Sequence, residues 1–307
     1  MTEAELKEFF NKCGIVLFDS ALGTALFAAG YPFGVGTEKA NITHRETLLG
    51  IHLANIRAGS DVITSNSFGV THMYMRGEKE SALELLTEGV KIARQAAAAG
   101  EGAEAEVLTC LGLGPAGVMF DSSGDADCGN AGYEAAEEAF AAQAEAGARA
   151  GADFVLLETF ADMEEILRAA KAAGCAAGLP VIGTMTFNEG GHSFMGATPS
   201  EFTRKARVCG FTAVGANCTL DPLGMIPITR EILDAAEGIP VLVQPNAGQP
   251  VYRDGQTFYD ITTEDFSSGA EKLIDLGISG VGGCCGTTPE MISAVRGIIE
   301  SRRKRNE

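Results

Sequence analysis

The sequence contains no tryptophan, and its aromatic content is only 7%. Basic residues are also scarce: 23 Lys and Arg oppose 41 Asp and Glu, which leaves a formal net charge of −18. This excess of negative charge argues against nucleic acid and anionic membranes as partners. No apolar run approaches the roughly 20 residues of a membrane span. The first residues are acidic, so we predict neither a transmembrane helix nor a signal peptide.

The sequence also lacks a Cys-x-x-Cys pair, which is the usual element of a structural zinc site with four protein ligands. Its eight cysteines are spread over 307 residues, unlike the dense spacing of a disulfide framework. We therefore expect a reducing, cytoplasmic environment in which some of these thiols bind a metal or take part in catalysis.

Two of the cysteines are adjacent. Cys284 and Cys285 lie in the run Gly-Gly-Cys-Cys-Gly-Thr-Thr-Pro at 282–289. The flanking glycines allow a tight turn, and Thr288 followed by Pro289 is typical of a helix N-cap and first helical residue. Neighbouring cysteines are poorly placed to bond each other, but they can hold one soft metal ion between them. Such a site needs a third ligand.

Cys218 is the candidate for that ligand. It ends the sequence Gly-Ala-Asn-Cys after an apolar run at 211–214, and Asp221 and Pro222 then form the cap and first residue of another predicted helix. All three cysteines therefore lie at strand-to-helix turns, although Cys218 is far from the pair in sequence. Three thiolates with one open position fit a catalytic zinc site. The alternative is that these cysteines are small buried residues without a ligand.

Apolar strands and helices alternate along the chain. Eight strand-like runs are each followed by a helix or a helix-bearing loop, and the runs are nearly continuous, as expected for strands covered on both faces. This pattern predicts an α/β protein with one domain over residues 1–307, a (β/α)8 TIM barrel. A doubly wound open sheet is the alternative.

In such a barrel the functional groups collect where the strands end. Polar or ligand-bearing residues follow nearly every predicted strand: Asp19, Asn66, Gly114, Glu158, Thr184, Cys218, Asn246 and the Cys284–Cys285 pair. Single acids at these positions either cap a loop or hold a ligand. A Gly-x-Gly-x-x-Gly match at 112–117 contains Pro115 and belongs to the third strand–helix unit, so we do not interpret it as a dinucleotide-binding loop.

The sequence resembles the zinc-dependent homocysteine S-methyltransferase family along essentially its whole length. Short segments at the predicted strand ends carry the match: 19–24, 58–61, 66–69, 114–115, 157–159, 215–218, 245–248 and 282–289. The Asn-Cys turn at 217–218 and the run at 282–289 are the most specific. The family fold is a (β/α)8 barrel, in agreement with the strand count.

The resemblance implies a role for each candidate residue. Zn²⁺ would be bound by Cys218, Cys284 and Cys285, with Asn246 filling the open position before substrate arrives. The amino group of homocysteine, or of a related thiol, would be held by Asp19 and Glu158. Its carboxylate would be received by backbone amides of Ser20, Ala21 and Leu22, and Asn217 would also contact the substrate.

The implied reaction is methyl transfer to the thiol of homocysteine, which gives methionine. Zinc binds thiols as thiolates, and the thiolate is the nucleophile. Methyl donors in the family include a methylated corrinoid, S-methylmethionine and betaine. The stretches 114–115, 244–260 and 282–289 are most similar to the homocysteine module of the cobalamin-dependent methionine synthases.

The methyl donor is left open by the residues themselves. No Asp-x-His-x-x-Gly corrinoid signature occurs, so methylcobalamin or another methylcorrinoid would arrive on a separate protein. A cationic donor would need an aromatic-lined mouth, and the low aromatic content favours the corrinoid. Two further alternatives are demethylation of a methylated substrate onto a corrinoid protein, and a zinc-binding docking module without catalysis. Asp19 and Glu158 argue against the second.

Overall fold

A computed structural model describes residues 1–100, 106–117, 126–253 and 256–306. Eight parallel strands form one sheet: β1 (Val16–Leu17), β2 (Val62–Thr64), β3 (Leu108–Leu113), β4 (Phe154–Phe160), β5 (Val181–Met185), β6 (Ala213–Asn217), β7 (Val241–Gln244) and β10 (Gly280–Val281). A separate hairpin pairs β8 (Pro250–Arg253) with β9 (Gln256–Tyr259) in antiparallel register.

The eight-stranded sheet closes on itself. Its spatial order is β1-β10-β7-β6-β5-β4-β3-β2, and a parallel bridge between Phe18 and Val62 joins the two outermost strands. The predicted (β/α)8 barrel is therefore confirmed, and the open sheet is excluded as the alternative.

Helices surround the barrel: α1 (Glu3–Cys13), α2 (Leu22–Ala28), α3 (Ala40–Thr43), α4 (Arg45–Arg57), α5 (Val70–Met75), α6 (Lys79–Ala99), α7 (Ala126–Ala150), α8 (Met163–Ala177), α9 (Pro199–Val208), α10 (Met225–Ala236), α11 (Thr263–Asp275) and α12 (Pro289–Asn306). None of those in the described ranges is both long and apolar enough to cross a membrane.

The strands alternate between two apolar layers because successive side chains point to opposite faces. In β4, Phe154 and Leu156 pack inside the barrel, whereas Val155 and Leu157 pack outward in the cluster that includes the surrounding helices. Leu6 and Phe10 of α1 belong to the interior cluster. This leaves the carboxyl-terminal ends of the strands as the place for chemistry.

The sequence also predicts helices at 43–58 and 133–149, a polar loop at 121–131 and a capping box at 198–201. The first helix is α4, and His44, with non-helical angles (φ −136°, ψ 40°), separates it from α3. Helix α7 begins earlier than predicted, at Ala126, and residues 121–125 of the predicted loop lie outside the described residues. The capping box is confirmed, since Thr198 accepts a hydrogen bond from the Glu201 amide.

The hairpin β8–β9 was not predicted. It lies between β7 and α11, and its base is tied to the cysteine turn because the Ala247 amide donates to the Cys285 carbonyl at 2.9 Å. The sequence does contain a signal for it, since Asp254-Gly255 is a typical two-residue hairpin connection. Phe258 and Tyr259, at the end of β9, line the cavity at the barrel mouth.

Candidate metal and substrate site

The three predicted cysteines meet at the carboxyl-terminal end of the barrel. The Sγ atoms of Cys218, Cys284 and Cys285 all lie within 4.8 Å of one another, and 3.8 Å separates those of Cys218 and Cys285. Two sulfurs that bind one tetrahedral zinc ion, each at about 2.3 Å, lie about 3.8 Å apart. The arrangement can therefore hold a metal ion without a large movement of the sulfurs.

A strained turn presents Cys218. Cys218 and Thr219 both adopt left-handed backbone angles, with φ of 63° and 64°, which cost energy for residues with a side chain. Backbone hydrogen bonds hold the turn in place: the Cys218 amide donates to Gln244 at 3.0 Å, and the Asn246 amide donates to Leu220 at 2.9 Å. The strain therefore persists because β6 and β7 fix the residues on either side.

Glycines allow the Cys284–Cys285 turn to pack closely. The Gly283 amide donates to the Asp19 carbonyl at 3.0 Å, and the Cys284 amide donates to the Pro245 carbonyl at 2.8 Å. A Cβ atom at Gly283 would clash with Thr287, and one at Gly286 would clash with the ring of Tyr259. Side chains at these two positions are excluded, and the sequence run at 282–289 is explained by this packing.

Asn246 carries a buried side-chain oxygen without a partner and lies next to Cys218. Its Oδ1 atom is buried and has no hydrogen-bond partner among the described residues, while its side chain interacts with the Cys218 sulfur. An unpaired buried carbonyl is costly unless something binds it. Three sulfurs and one amide oxygen make a four-ligand set of the kind that suits zinc, so the residues present fit this ion.

The thiols of the cluster influence one another. Hydrogen bonds from Cys284 and Cys285 stabilise the Cys218 thiolate and lower the pKa of Cys218. Donating its proton to Cys218 raises the pKa of Cys284. Cys218 is therefore the first thiol to ionise, and a metal ion that recruits the other two must displace their protons.

Two acids lie at the strand ends near the sulfurs. Both Asp19 oxygens accept from Thr64, from its amide at 2.8 Å and its hydroxyl at 2.9 Å. Glu158 has no hydrogen-bond partner within the described ranges, and a Cβ at Gly112 would lie only 2.9 Å from its Oε1. Burial raises the pKa of Asp19 to about 7 and that of Glu158 to about 8, and the charge of Asp19 adds to the second effect.

These pKa values predict how the stability of the metal-free protein depends on pH. Unfolded carboxyl groups titrate near pH ~4, whereas the folded pKa values are about 7 for Asp19 and about 8 for Glu158. Their contribution to stability is thus complete below pH ~4 and is lost progressively as the pH rises to the folded values. We expect these two acids to lower the melting temperature between about pH 4 and about pH 8.

Calorimetry of the wild type and of the Asp19→Asn/Glu158→Gln double variant in matched buffers measures this effect. The thiols titrate in both proteins, so the difference between the two curves isolates the acids. A melting temperature that falls equally steeply in both would contradict the assignment.

A cavity of about 650 Å³ opens above the sulfurs and the acids. Aromatic side chains form part of its wall: Phe27, Phe33, Phe68, Phe258 and Tyr259. The rings of Phe27 and Phe33 stack at 4.3 Å between centroids. Phe33, Phe68 and Phe258 are also exposed to solvent. The cavity at the barrel mouth is therefore lined by aromatic side chains, although the low aromatic content of the whole chain suggested that it would not be.

The other predicted substrate residues lie nearby, but they differ in whether their polar groups are already hydrogen-bonded to the protein. The Ser20 amide donates to Asn55 Oδ1 at 2.9 Å, and the Ala21 amide donates to Thr287 Oγ1 at 3.0 Å. In the described part of the chain the Leu22 amide has no acceptor, so of these three it is the one free to bind a carboxylate. Asn217 is buried and is hydrogen-bonded to protein groups.

Sequence analysis missed three residues of the site. Thr64 orients Asp19, Gln244 lines the cavity with a buried, unpaired Oε1 in the described structure, and Tyr259 lies against Cys285. Gln244 ends a barrel strand, which is a usable signal in this fold. Tyr259 could be found only through the hairpin signal.

The fold and the site together define a class of protein: a (β/α)8 barrel with a cysteine cluster able to hold a metal, a buried aspartate and a half-buried glutamate at the carboxyl ends of its strands. Residues 16–299 match the family model described as homocysteine S-methyltransferase. The chain therefore belongs to the homocysteine S-methyltransferase family, as its sequence motifs predicted.

The relatives that match this sequence include proteins named for two different activities. The chain is 28% identical to methionine synthase of Mycobacterium tuberculosis over 94% of its own length and 25% of that protein. It is also 28% identical to betaine–homocysteine S-methyltransferase 1 of Bos taurus, over 94% of its own length and 73% of that protein. The chain thus spans about a quarter of the length of the mycobacterial methionine synthase.

Solved structures share the fold. The metallated form of the homocysteine methyltransferase MmuM from Escherichia coli aligns with a TM-score of 0.73 at 23% identity, covering 95% of this chain and 99% of that one. A methyltransferase from Methanosarcina mazei aligns with a TM-score of 0.64 at 13% identity, covering 94% of each chain. At these identities the likeness concerns the barrel architecture.

Proposed function

We propose that this protein is a zinc-dependent methyltransferase that transfers a methyl group to the thiol of homocysteine, giving methionine. The observation that carries the proposal is the meeting of three cysteine sulfurs within 4.8 Å of one another in a cavity that is also lined by two acids, Asp19 and Glu158. Cys218, Cys284 and Cys285 would hold the ion, with Asn246 Oδ1 as the fourth ligand until substrate arrives. Reduced thiols are needed, which agrees with a cytoplasmic location.

When bound, zinc would keep the acceptor sulfur deprotonated and so supply a nucleophile at neutral pH. The remaining work belongs to the residues of the chain. Asp19 and Glu158 would bind the substrate ammonium group, which favours their ionised forms. The Leu22 amide would receive the carboxylate. In the transfer, a bond forms between the substrate sulfur and the methyl carbon while the bond from that carbon to the donor breaks.

The first candidate donor is a methylcorrinoid, such as methylcobalamin, on a separate protein. The similarity to methionine synthase over most of this chain supports it. So does a cavity that opens at the barrel mouth, where a partner protein could present its cofactor. A barrel of this kind could also run the transfer in the demethylating direction, from a methylated substrate onto the corrinoid.

A second candidate donor is a small cation, S-methylmethionine or betaine. The aromatic wall of the cavity favours it, because aromatic faces attract sulfonium and quaternary ammonium groups. Five aromatic side chains line this one cavity. The similarity to the bovine betaine–homocysteine methyltransferase agrees with this alternative.

A donor panel tests the proposed function. Zinc-loaded protein is incubated with homocysteine and one of four donors: methylcobalamin, S-methylmethionine, betaine or S-adenosylmethionine, and methionine is quantified. Methionine from methylcobalamin alone supports the corrinoid donor, and methionine from a small cation supports the second candidate. Tight binding of a corrinoid protein without any methionine would indicate a docking module and overturn the enzyme.

The Phe33→Ala variant is a second test that distinguishes between the two candidate methyl donors. If a cation binds against the Phe27–Phe33 pair, the donor KM should rise about fivefold to thirtyfold, the loss expected for a cation–π contact of about 1–2 kcal/mol. The KM of homocysteine should not change. Phe194→Ala is the matched control, because Phe194 is also exposed but does not line the cavity. An unchanged donor KM in Phe33→Ala would argue against the aromatic subsite.

A further inference from the structure

Asn217 makes four hydrogen bonds from one buried side chain. Its Oδ1 accepts from the Thr159 amide and from the Thr184 hydroxyl, both at 2.8 Å. Its Nδ2 donates to Thr159 Oγ1 at 2.6 Å and to Cys284 Sγ at 3.7 Å. The side chain is 1% exposed. Its geometry is therefore set by the protein, and one of its N–H groups is directed at a sulfur of the cluster.

Tyr259 lies next to the neighbouring cysteine, Cys285. Its ring lies so close to Gly286 that a Cβ there would clash with three ring atoms. Its hydroxyl interacts with the Cys285 sulfur. Because Tyr259 lies on the hairpin whose base is tied to Cys285 through Ala247, the hydroxyl and the sulfur are held together by the fold. Each member of the Cys284–Cys285 pair thus has its own side-chain donor.

Methyl transfer at such a site faces a problem of selectivity. Three cysteine thiolates and the substrate thiolate would be close together, and each is able to attack the same methyl group. Attack by a cysteine would form a Cys Sγ–CH3 bond, the donor would leave with the electrons of its bond to carbon, and the resulting neutral thioether would be a weak ligand. A hydrogen bond to a thiolate stabilises its charge, and nucleophilicity falls as a thiolate is stabilised.

We propose that Asn217 and Tyr259 are positioning residues that direct methylation to the substrate thiol, by hydrogen-bonding the sulfurs of Cys284 and Cys285 and so protecting these two ligands from methylation. The role rests on the zinc site proposed above. It differs from the direct substrate contact that the family resemblance implied for Asn217. A substrate sulfur that received no such hydrogen bond would then be more nucleophilic than the sulfurs of Cys284 and Cys285.

Methyl iodide tests the inference without homocysteine or a natural donor, so its outcome does not depend on which donor the enzyme uses. Zinc-loaded protein is treated with methyl iodide, and methylation of each cysteine is followed by peptide mass spectrometry. Asn217→Asp keeps an acceptor for Thr159 and Thr184 but cannot donate to Cys284. Tyr259→Phe keeps the ring on Gly286 but loses the hydroxyl. Zinc content and circular dichroism are measured for each variant.

The expected result is a crossed pattern. Cys284 should be methylated about tenfold faster in Asn217→Asp, and Cys285 about tenfold faster in Tyr259→Phe, as expected for one lost hydrogen bond to a charged group. The other cysteine of the pair should change less than twofold in each case. Tyr74→Phe, whose hydroxyl bonds Glu138 on the outer helices, should behave as the wild type.

Equal acceleration at both cysteines in either variant would show general loosening and overturn the proposal, as would no acceleration in protein that retains its zinc. If Asn217→Asp fails to fold or to bind zinc, the test rests on Tyr259→Phe alone. A selective rise in Cys285 methylation in that variant supports the proposal, and the absence of such a rise overturns it.

Discussion

Cys285→Ser is expected to lose zinc and thiol methylation together. The cluster would keep two sulfurs, and a serine hydroxyl is a poor replacement for a thiolate as a zinc ligand. We expect kcat/KM for homocysteine methylation to fall by more than about a hundredfold, since even an outer hydrogen-bond partner of a metal ligand is worth up to that much. Elemental analysis of the reduced protein and a methionine assay measure the two effects side by side.

Cys175→Ser is the matched control for this variant. Cys175 is a free and exposed cysteine on α8, outside the cluster, so the substitution removes a thiol without touching the site. It should retain zinc and activity within about twofold, as surface substitutions usually do. Full zinc occupancy and full activity in Cys285→Ser would contradict the metal site, and with it the proposed mechanism.

Glu158→Gln is expected to weaken homocysteine binding while zinc stays bound. The amide keeps the shape of the side chain in the space above Gly112 but has no charge to pair with the substrate ammonium. Losing a hydrogen bond between charged groups costs about 1.5–3 kcal/mol, so the KM of homocysteine should rise about tenfold to a hundredfold. The value of kcat at saturation should change much less, because the sulfur chemistry is intact.

Glu165→Gln controls for the removal of a buried carboxyl group. Glu165 is buried at the start of α8, where it accepts from the Ala116 amide at 2.6 Å, and burial raises its pKa to about 7. It does not line the cavity, and a glutamine can still accept the same hydrogen bond. Its homocysteine KM should match the wild type. An equal rise in both variants would mean that Glu158 acts through stability rather than through substrate contact.

The barrel and its cysteine cluster were predictable because both depend on local patterns. Apolar strands that alternate with helices specify a sheet covered on both faces, and polar residues at the strand ends then meet at one edge. The Cys284–Cys285 pair and Cys218 could be assigned together because they occupy equivalent turns. The hairpin β8–β9 was missed although Asp254-Gly255 signals it, because the strand count was already complete without it.

The aromatic lining of the cavity at the barrel mouth could not be predicted from the amino-acid composition. Phe27, Phe33, Phe68 and Phe258 come from three separate strand–helix connections, and only the closure of the barrel brings them to one cavity. An average aromatic content says nothing about such clustering. The hydrogen bonds from the Ser20 and Ala21 amides to Asn55 and Thr287 likewise depend on the tertiary structure.

The sequence by itself determined the order of the strands, which three cysteines meet at the barrel mouth, and the family, because spacing and turn-forming residues are local features of the sequence. Tertiary structure alone decided which groups surround each sulfur. Asn217 and Cys284, like Tyr259 and Cys285, are distant in the chain and become partners only when β6, β10 and the hairpin assemble at one end of the barrel. Hydrogen bonds act over a few ångströms, so such partnerships depend on the folded geometry and not on position in the sequence.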